Sequence, residues 1–289
     1  MKMFRRIIAA AAAICLPLLS SAQATDYVID REKDAAAFAS ADWHWHSIGR
    51  QAEAGTAHFR MFDCAQCISV VRYKPSRYST DLLHCPDSLR STPSRAGSQY
   101  GAIAALNGSY FNMRTLYPTT YIKDDGVQKG HTTPGEMFRI NGALCLRNPH
   151  KASVVEVGDT TAYNADLRRY REALTSGPLL VDDGRSFSYD DPGSFFTHRH
   201  PRTMFGVDRK GWIYMVVVDG RFPGQADGAT IAEMVFLAEC FGLVEAITLD
   251  GGGSSALWTA VDGVISYPRD NGVFDHAGER EVPNIILVR

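Results

Sequence analysis

The densest chemistry in the chain lies at Thr248-Leu249-Asp250-Gly251-Gly252-Gly253-Ser254-Ser255. A carboxylate leads three glycines and two hydroxyls. Consecutive glycines accept positive φ and let a ligand come close to the backbone. Their N–H groups can converge on an anion, phosphate above all. Gly251, Gly252, Gly253, Ser254 and Ser255 therefore read as an anion cradle, with Asp250 as the carboxylate beside it. The plainer alternative is a slack turn, but slack does not explain three glycines directly after an apolar run and an aspartate. No Lys-Ser/Thr pair follows the glycines, and the pattern is not a nucleophile elbow.

Three further segments repeat the theme of a strand ending in a polar group. In His200-Pro201-Arg202-Thr203, the Arg202 guanidinium offers a fork that matches two phosphate oxygens. Its plain alternative is a surface ion pair. Asp219-Gly220-Arg221 supplies a second carboxylate and a second guanidinium, or else an ordinary Asp-Gly turn. Asn107, within Leu106-Asn107-Gly108-Ser109-Tyr110-Phe111, stands at another strand end, and Asn107-Gly108-Ser109 is formally a glycosylation sequon. Glu233 is a third carboxylate candidate for acid–base work, although a capping role explains it without chemistry. His44 and His46 share one face of a strand and could hold a metal; a surface or sugar-stacking edge is the simpler reading.

These residues need elements to hold them. Residues 203–207 and 212–218 read as strands joined by Asp208-Arg209-Lys210-Gly211. Residues 230–241 read as a helix, because Ile231, Met234, Val235, Ala238 and Phe241 keep one apolar face. Thr230 and Glu233 have capping-box spacing, and Gly242 supplies the stop. Residues 244–249 form a buried strand, and 282–288 a last strand with Pro283 near its start. Earlier, 32–41 reads as a helix, 58–62 and 68–73 as strands, and 102–106 as a short apolar run. Residues 74–99 read as loop with one short helix, and 179–181 as a strand. Residues 136–140 and 143–147 are expected to form a hairpin through Asn141-Gly142. The expected fold is a single α+β domain of mixed β-sheets with a few packed helices, covering residues 25–289.

The first 24 residues stand apart. Lys2, Arg5 and Arg6 precede the apolar run 7–19, and Ala22-Gln23-Ala24 follows as a small-x-small cleavage site. This is the layout of a secretory signal peptide, and the run is too short to span a bilayer. Cys15 follows Ile14, where a lipoprotein signal wants a small residue. The expected location is therefore secreted or periplasmic, with no integral membrane association. Export favours an oxidising compartment. Cys64, Cys67, Cys85, Cys145 and Cys240 remain, an odd number, so one thiol is left over. One disulfide among Cys64, Cys67 and Cys85 is expected, with Cys240 a buried free thiol.

Composition excludes several classes. The chain has 289 residues, 45% hydrophobic and 21% charged, which is globular and neither disordered nor collagenous. A formal charge of −2 argues against a nucleic-acid partner held by net basic charge.

In order along the chain, the motifs resemble the phosphodiester glycosidase family. The resemblance rests on Ala105-Leu106-Asn107-Gly108-Ser109-Tyr110-Phe111, on Pro201-Arg202-Thr203 with Gly206, on Asp219-Gly220, and on Gly228-Ala229-Thr230 with Glu233. Leu249-Asp250-Gly251-Gly252-Gly253-Ser254 is its most specific part; Ser266-Tyr267-Pro268 and Val282-Pro283-Asn284 complete it. It covers the chain from about residue 100 onward. Ser109 stands where a further glycine is usual, and Met204-Phe205 replace smaller residues; both bear on which sugar fits. The resemblance implies hydrolysis of a sugar joined through its anomeric carbon to a phosphodiester, on cell-surface or extracellular glycans. In that reading Gly251 to Ser255, Arg202 and Arg221 hold the phosphate. Asp250 or Asp219 stabilises the oxocarbenium-like centre or activates water, and Asn107 orients sugar or water. No cofactor is certain, and a divalent cation bridging Asp250 and phosphate is a further option. The alternative is a non-catalytic module that binds phosphorylated glycan.

Overall fold

The computed structural model describes residues 27–85, 90–158 and 166–289. The expected signal peptide and Cys15 lie outside those residues. In chain order the elements begin with α1 (Arg31–Ser40), β1 (His44–Gly49), β2 (Ala52–Met61), β3 (Cys64–Tyr73), β4 (Thr80–His84), α2 (Pro93–Gln99) and β5 (Ala104–Asn107). There follow β6 (Ile122–Asp124), β7 (Val127–Gly130), β8 (Gly142–Asn148), β9 (Lys151–Glu156), β10 (Glu172–Ser176), β11 (Leu179–Asp182) and β12 (Arg185–Ser186). The last part holds α3 (Ser194–Thr197), β13 (Arg202–Asp208), β14 (Ile213–Val218), α4 (Ile231–Cys240), β15 (Leu243–Thr248), β16 (Leu257–Thr259), β17 (Gly263–Val264) and β18 (Asn284–Val288).

The strands form one eight-stranded sheet, β1-β2-β3-β14-β13-β15-β11-β12, and two five-stranded sheets, β7-β6-β10-β8-β9 and β17-β16-β5-β18-β4. This is the α+β architecture expected from the sequence. Side chains of β14 alternate between two cores, as a period of two requires. Ile213, Met215 and Val217 enter a core shared by all three sheets. Tyr214, Val216 and Val218 enter a second core beneath α1 and α4. Both faces are covered, so β14 is apolar throughout. β1–β3 lie in the same sheet as β13–β15, so the N-terminal third is built into the fold and is not a separate unit.

Helix α4 starts as its sequence dictates. Glu233 N–H donates to Thr230 Oγ1 at 3.1 Å, and Thr230 N–H donates to Glu233 Oε2 at 2.8 Å. Two expectations fail. Residues 136–140 are not a strand: Pro134–Glu136 is a 3₁₀ turn, and β8 pairs instead with β9 through Pro149-His150. Neither Asn141 nor Gly142 has the positive φ a two-residue hairpin needs. The Asn141 side chain reaches across the molecule, accepting from Leu179 N–H at 2.7 Å and donating to the Tyr189 hydroxyl at 2.8 Å.

The second failure concerns sulfur. Cys64, Cys67, Cys85, Cys145 and Cys240 are all free thiols. Cys64 and Cys67 lie on one strand, β3, an odd number of residues apart, so they face opposite sides. Cys64 enters the core under the helices and Cys67 a separate small cluster, while Cys85 belongs to a third. Cys240 is free as expected but only half-buried.

Candidate active site

Antiparallel pairing gathers the chemistry. Arg202 opens β13 opposite Val218, the last residue of β14, and Met204 pairs with Thr248, the last of β15. The start of β13 and the ends of β14 and β15 therefore share one end of the sheet. That brings the backbones of Arg202, Asp219 and Asp250 to one end of the sheet. Pro201 sits between the two carboxylate segments. Gly252 N–H donates to Pro201 O at 2.8 Å, and a Cβ on Gly251 would lie 2.6 Å from that oxygen. A Cβ on Gly220 would lie 2.7 Å from Pro201 N. Glycine is needed at both positions for the backbones to approach.

The triple glycine does not form the expected anion cradle. Most of its amides already donate within the protein: Gly251 N–H to Asp250 Oδ1 at 2.9 Å, Gly252 to Pro201 O, Ser254 to Gly251 O and Ser255 to Gly252 O. The segment Gly252–Ser254 is a 3₁₀ turn. Its glycines make room for guanidinium groups instead. A Cβ on Gly252 would meet Arg221 Nη1 at 3.2 Å, and Gly252 has φ +63°. A Cβ on Gly253 would run into the Arg280 guanidinium and lie 2.6 Å from Asp270 Oδ1.

Asp250 is half-buried, and burial raises its pKa. Ser254, Arg139, Arg280 and the Gly251 amide oppose that shift. Arg221 lies in the same field, which Asp250 offsets, and its pKa is lowered by burial and by Arg280 and Arg269. Arg221 Nη2 donates to His200 Nδ1 at 3.1 Å. A guanidinium cannot accept, so His200 is neutral there and carries its proton on Nε2. Burial, with Arg202 and Arg221 beside it, pushes the His200 pKa down to about 4. Arg221 itself has φ +64°, a strained backbone for a residue with a Cβ. Arg280 pairs with Asp270 and reaches Ser254 Oγ at 3.4 Å.

Arg202 is 4% exposed. Its Nε donates to Ala229 O at 2.9 Å, and its Nη2 to Phe195 O at 2.6 Å and His198 O at 3.2 Å. Burial lowers its pKa to about 10. Among the described residues, Arg202 and Arg221 bond to carbonyls and an imidazole, not to carboxylates.

Asp219 follows β14 and is 1% exposed. Oδ1 accepts from Tyr267 N–H at 2.9 Å and Oδ2 from the Cys67 thiol at 3.4 Å. Burial raises its pKa to about 7. Cys67 Sγ also lies 3.4 Å from His58 Nε2.

Other expected site residues take structural roles. Asn107 is fully buried; its amide donates to Asp250 O at 2.8 Å and accepts from Thr203 Oγ1 at 3.0 Å and Ala256 N–H at 3.2 Å. Its polar atoms hold the Asp250 turn, leaving none to orient sugar. Ser255 Oγ accepts from Thr203 Oγ1 at 3.1 Å and faces inward. Glu233, expected as a catalytic carboxylate, caps α4 and makes a two-pronged ion pair with Arg199 at 2.6 and 3.0 Å. Nothing in that arrangement frees it for acid–base work. His46 pairs with Asp262 at 2.9 Å, and among the described residues no three His, Cys, Asp or Glu gather as metal ligands. Guanidinium groups surround Asp250, a setting that does not fit a divalent cation.

Sequence reading missed Arg139, His200 and Arg280. His200 had a signal, adjacency to Pro201-Arg202. Arg139 and Arg280 had none, since each reaches the site from a loop distant in sequence.

Residues 100–289 match the phosphodiester glycosidase family. A search of curated protein sequences finds no match. Among solved structures, the chain is similar to the catalytic domain of zebrafish N-acetylglucosamine-1-phosphodiester alpha-N-acetylglucosaminidase, auto-inhibited by its pro-peptide. The two share 18% identity and a TM-score of 0.65, over 84% of this chain and 85% of that one. A hypothetical protein from Synechocystis is similar at 16% identity and TM-score 0.57, over 85% of this chain and 63% of that one. A protein from Burkholderia pseudomallei K96243 is similar at 13% identity and TM-score 0.59, over 79% and 75%. At these identities the structures speak for a shared fold. The family match takes in Asp219, Asp250, Arg221 and Arg280 together, and by it the chain belongs to the phosphodiester glycosidase family.

Proposed function

We propose that the protein hydrolyses the bond between the anomeric carbon of a sugar and the oxygen of a phosphodiester. The observation that carries this reading is the gathering of guanidinium groups beside Asp250: half-buried Arg221 and Arg280 lie against the glycine turn, and buried Arg202 lies close enough to Arg221 to feel its charge. Asp250 offsets only part of the positive charge at Arg221, whose pKa stays lowered, and a bound phosphate offsets more of it. Arg221 and Arg280 flank the glycine turn and clamp the phosphate oxygens as charge builds on them. The leaving group is a phosphate monoester whose second pKa is about 6, so it departs as an anion and needs little help from a general acid. Asp250 faces the anomeric carbon and stabilises its positive charge. Asp219 accepts the proton of the attacking water as the second carboxylate.

Hydrolysis of a sugar-1-phosphodiester in oxygen-18 water tests this. Label in the sugar is expected. Label in the phosphate makes the protein a phosphodiesterase, and no turnover with tight retention of ligand makes it a binding module. The same reading has residues 1–24 direct export and residues 25–289 act outside the cytoplasm, secreted or periplasmic, on extracellular or surface glycans. N-terminal sequencing of the protein recovered from its producing cell is expected to begin at Thr25.

A further inference from the structure

Four large apolar side chains stand in water beside the guanidinium cluster: Met113 at 58% exposure, Tyr117 at 53%, Met137 at 47% and Phe138 at 55%. They come from two segments that lie side by side. Thr133 N–H donates to Thr119 O at 3.0 Å, and Thr119 Oγ1 donates to Glu136 Oε1 at 3.0 Å. Exposed apolar side chains gathered on neighbouring segments beside a polar site are the kind of surface that ligands cover.

This rim begins where the cluster ends. Arg280 Nη1 lies 3.3 Å from Met113 Sδ and 3.4 Å from Ser254 Oγ. The Arg139 guanidinium, which acts on Asp250, lies 5.3 Å from the Phe138 ring centroid and 3.7 Å from that of Tyr110. A phosphate at Arg221 and Arg280, with its sugar toward Asp250, has Met113 beside Arg280 to meet its second ester arm. A polar arm would gain nothing from four exposed apolar side chains. An alkyl arm would cover them, and unbranched Met side chains adapt well to a flexible chain.

We propose that the rim binds the apolar arm of the substrate, which is a sugar-1-phosphate esterified to a long-chain alcohol. This rests on the glycosidase reading and names its substrate class. In the reaction, water oxygen bonds to the anomeric carbon as the C–O bond to phosphate breaks. The electron pair of that bond leaves with the alkyl phosphate, and the water proton passes to Asp219 and then to solvent.

The test uses the full chain with methyl phosphate and decyl phosphate as calorimetric probes, below the micelle concentration of the latter. Decyl phosphate is expected to bind at least tenfold more tightly. A combined Met113→Ser, Met137→Ser, Phe138→Ser variant is expected to bring decyl phosphate down to the methyl level and leave methyl phosphate binding unchanged. The less invasive pair Met113→Ser, Met137→Ser is expected to move in the same direction. Equal affinities in the wild type overturn the proposal. So does rim-dependent binding to phosphatidylcholine vesicles without any preference between the two phosphates, which assigns the rim to a membrane surface. Turnover separates this proposal from the glycosidase reading. If decyl phosphate binds through the rim but neither the methyl nor the decyl diester of N-acetylglucosamine-1-phosphate is cleaved, the rim stands and the glycosidase reading for that sugar falls. If both diesters are cleaved at equal kcat/KM and both phosphates bind equally, the glycosidase reading stands and the rim proposal falls.

Discussion

A buried carboxyl with a pKa near neutrality carries the sharpest prediction at the scale of single residues. Asp219 is held at about 7 by burial, against about 4 in the unfolded chain. Between those values the folded protein keeps a proton that the unfolded chain has released. Stability therefore falls as pH rises from about 4 to about 7 and levels off above. Thermal melts of Asp219→Asn across this range are expected to lack that fall, while turnover of a sugar-1-phosphodiester is lost. In the wild type, kcat/KM is expected to climb with pH through about 7, as Asp219 ionises. Asp250→Asn is expected to lower kcat by about 10²–10³-fold, the usual span for one group that stabilises charge in the transition state. Arg221→Gln is expected to lower kcat by about 10²-fold, as loss of one donor to developing negative charge does. Both variants should melt within a few degrees of the wild type; a collapse of folding would make these residues structural.

Elements decide which glycines and carboxylates matter. In the turn after β15, each glycine answers to a different neighbour. Gly253→Ala displaces the ends of the Arg280 and Asp270 side chains, which can move. Its expected effect is a raised KM for phosphodiester with little change in melting temperature. Gly251→Ala meets the Pro201 carbonyl at 2.6 Å, and backbone cannot step aside so easily. Its expected effect is on stability first, read by denaturant unfolding. At the start of α4 the prediction runs the other way. Glu233→Gln leaves Arg199 without its carboxylate and is expected to remove about 2 kcal/mol of stability, less than a fully buried pair because Arg199 keeps some water contact. Its kcat is expected to hold. A large loss of kcat at unchanged stability would restore Glu233 to the chemistry.

At the scale of the whole molecule, the site stands at a junction between sheets. Asn107 ends β5 of one five-stranded sheet, and its amide bonds to the Asp250 carbonyl and to Thr203 of β13 in the eight-stranded sheet. Asn107→Ala takes their side-chain partner from the Asp250 carbonyl and the Ala256 N–H in a dry interior and is expected to cost about 2–4 kcal/mol in denaturant unfolding. Turnover is expected to fall with it, because the Asp250 turn loses its tether. The second core beneath α1 and α4 lies on the opposite face of the large sheet. Changes there are expected to alter melting temperature without altering KM.

The sequence by itself determined the frame of this protein. Apolar runs in β13, β14 and β15, the capping box of α4 and the order of motifs around Asp219 and Asp250 are local patterns, and local sterics and hydrogen bonding realise them. They sufficed for the α+β class and for the family. The Asn141-Gly142 hairpin misled because both residues bond to distant partners, and the Cys64–Cys67 bridge misled because a strand turns its odd-spaced side chains to opposite faces. What only the tertiary structure decided is which groups supply the positive charge. Backbone amides expected to cradle an anion are turned inward to Pro201 and to one another. Arg221, Arg280 and Arg139 take their place from three separate loops, because the charge around Asp250 depends on distances in space that no spacing along the chain records.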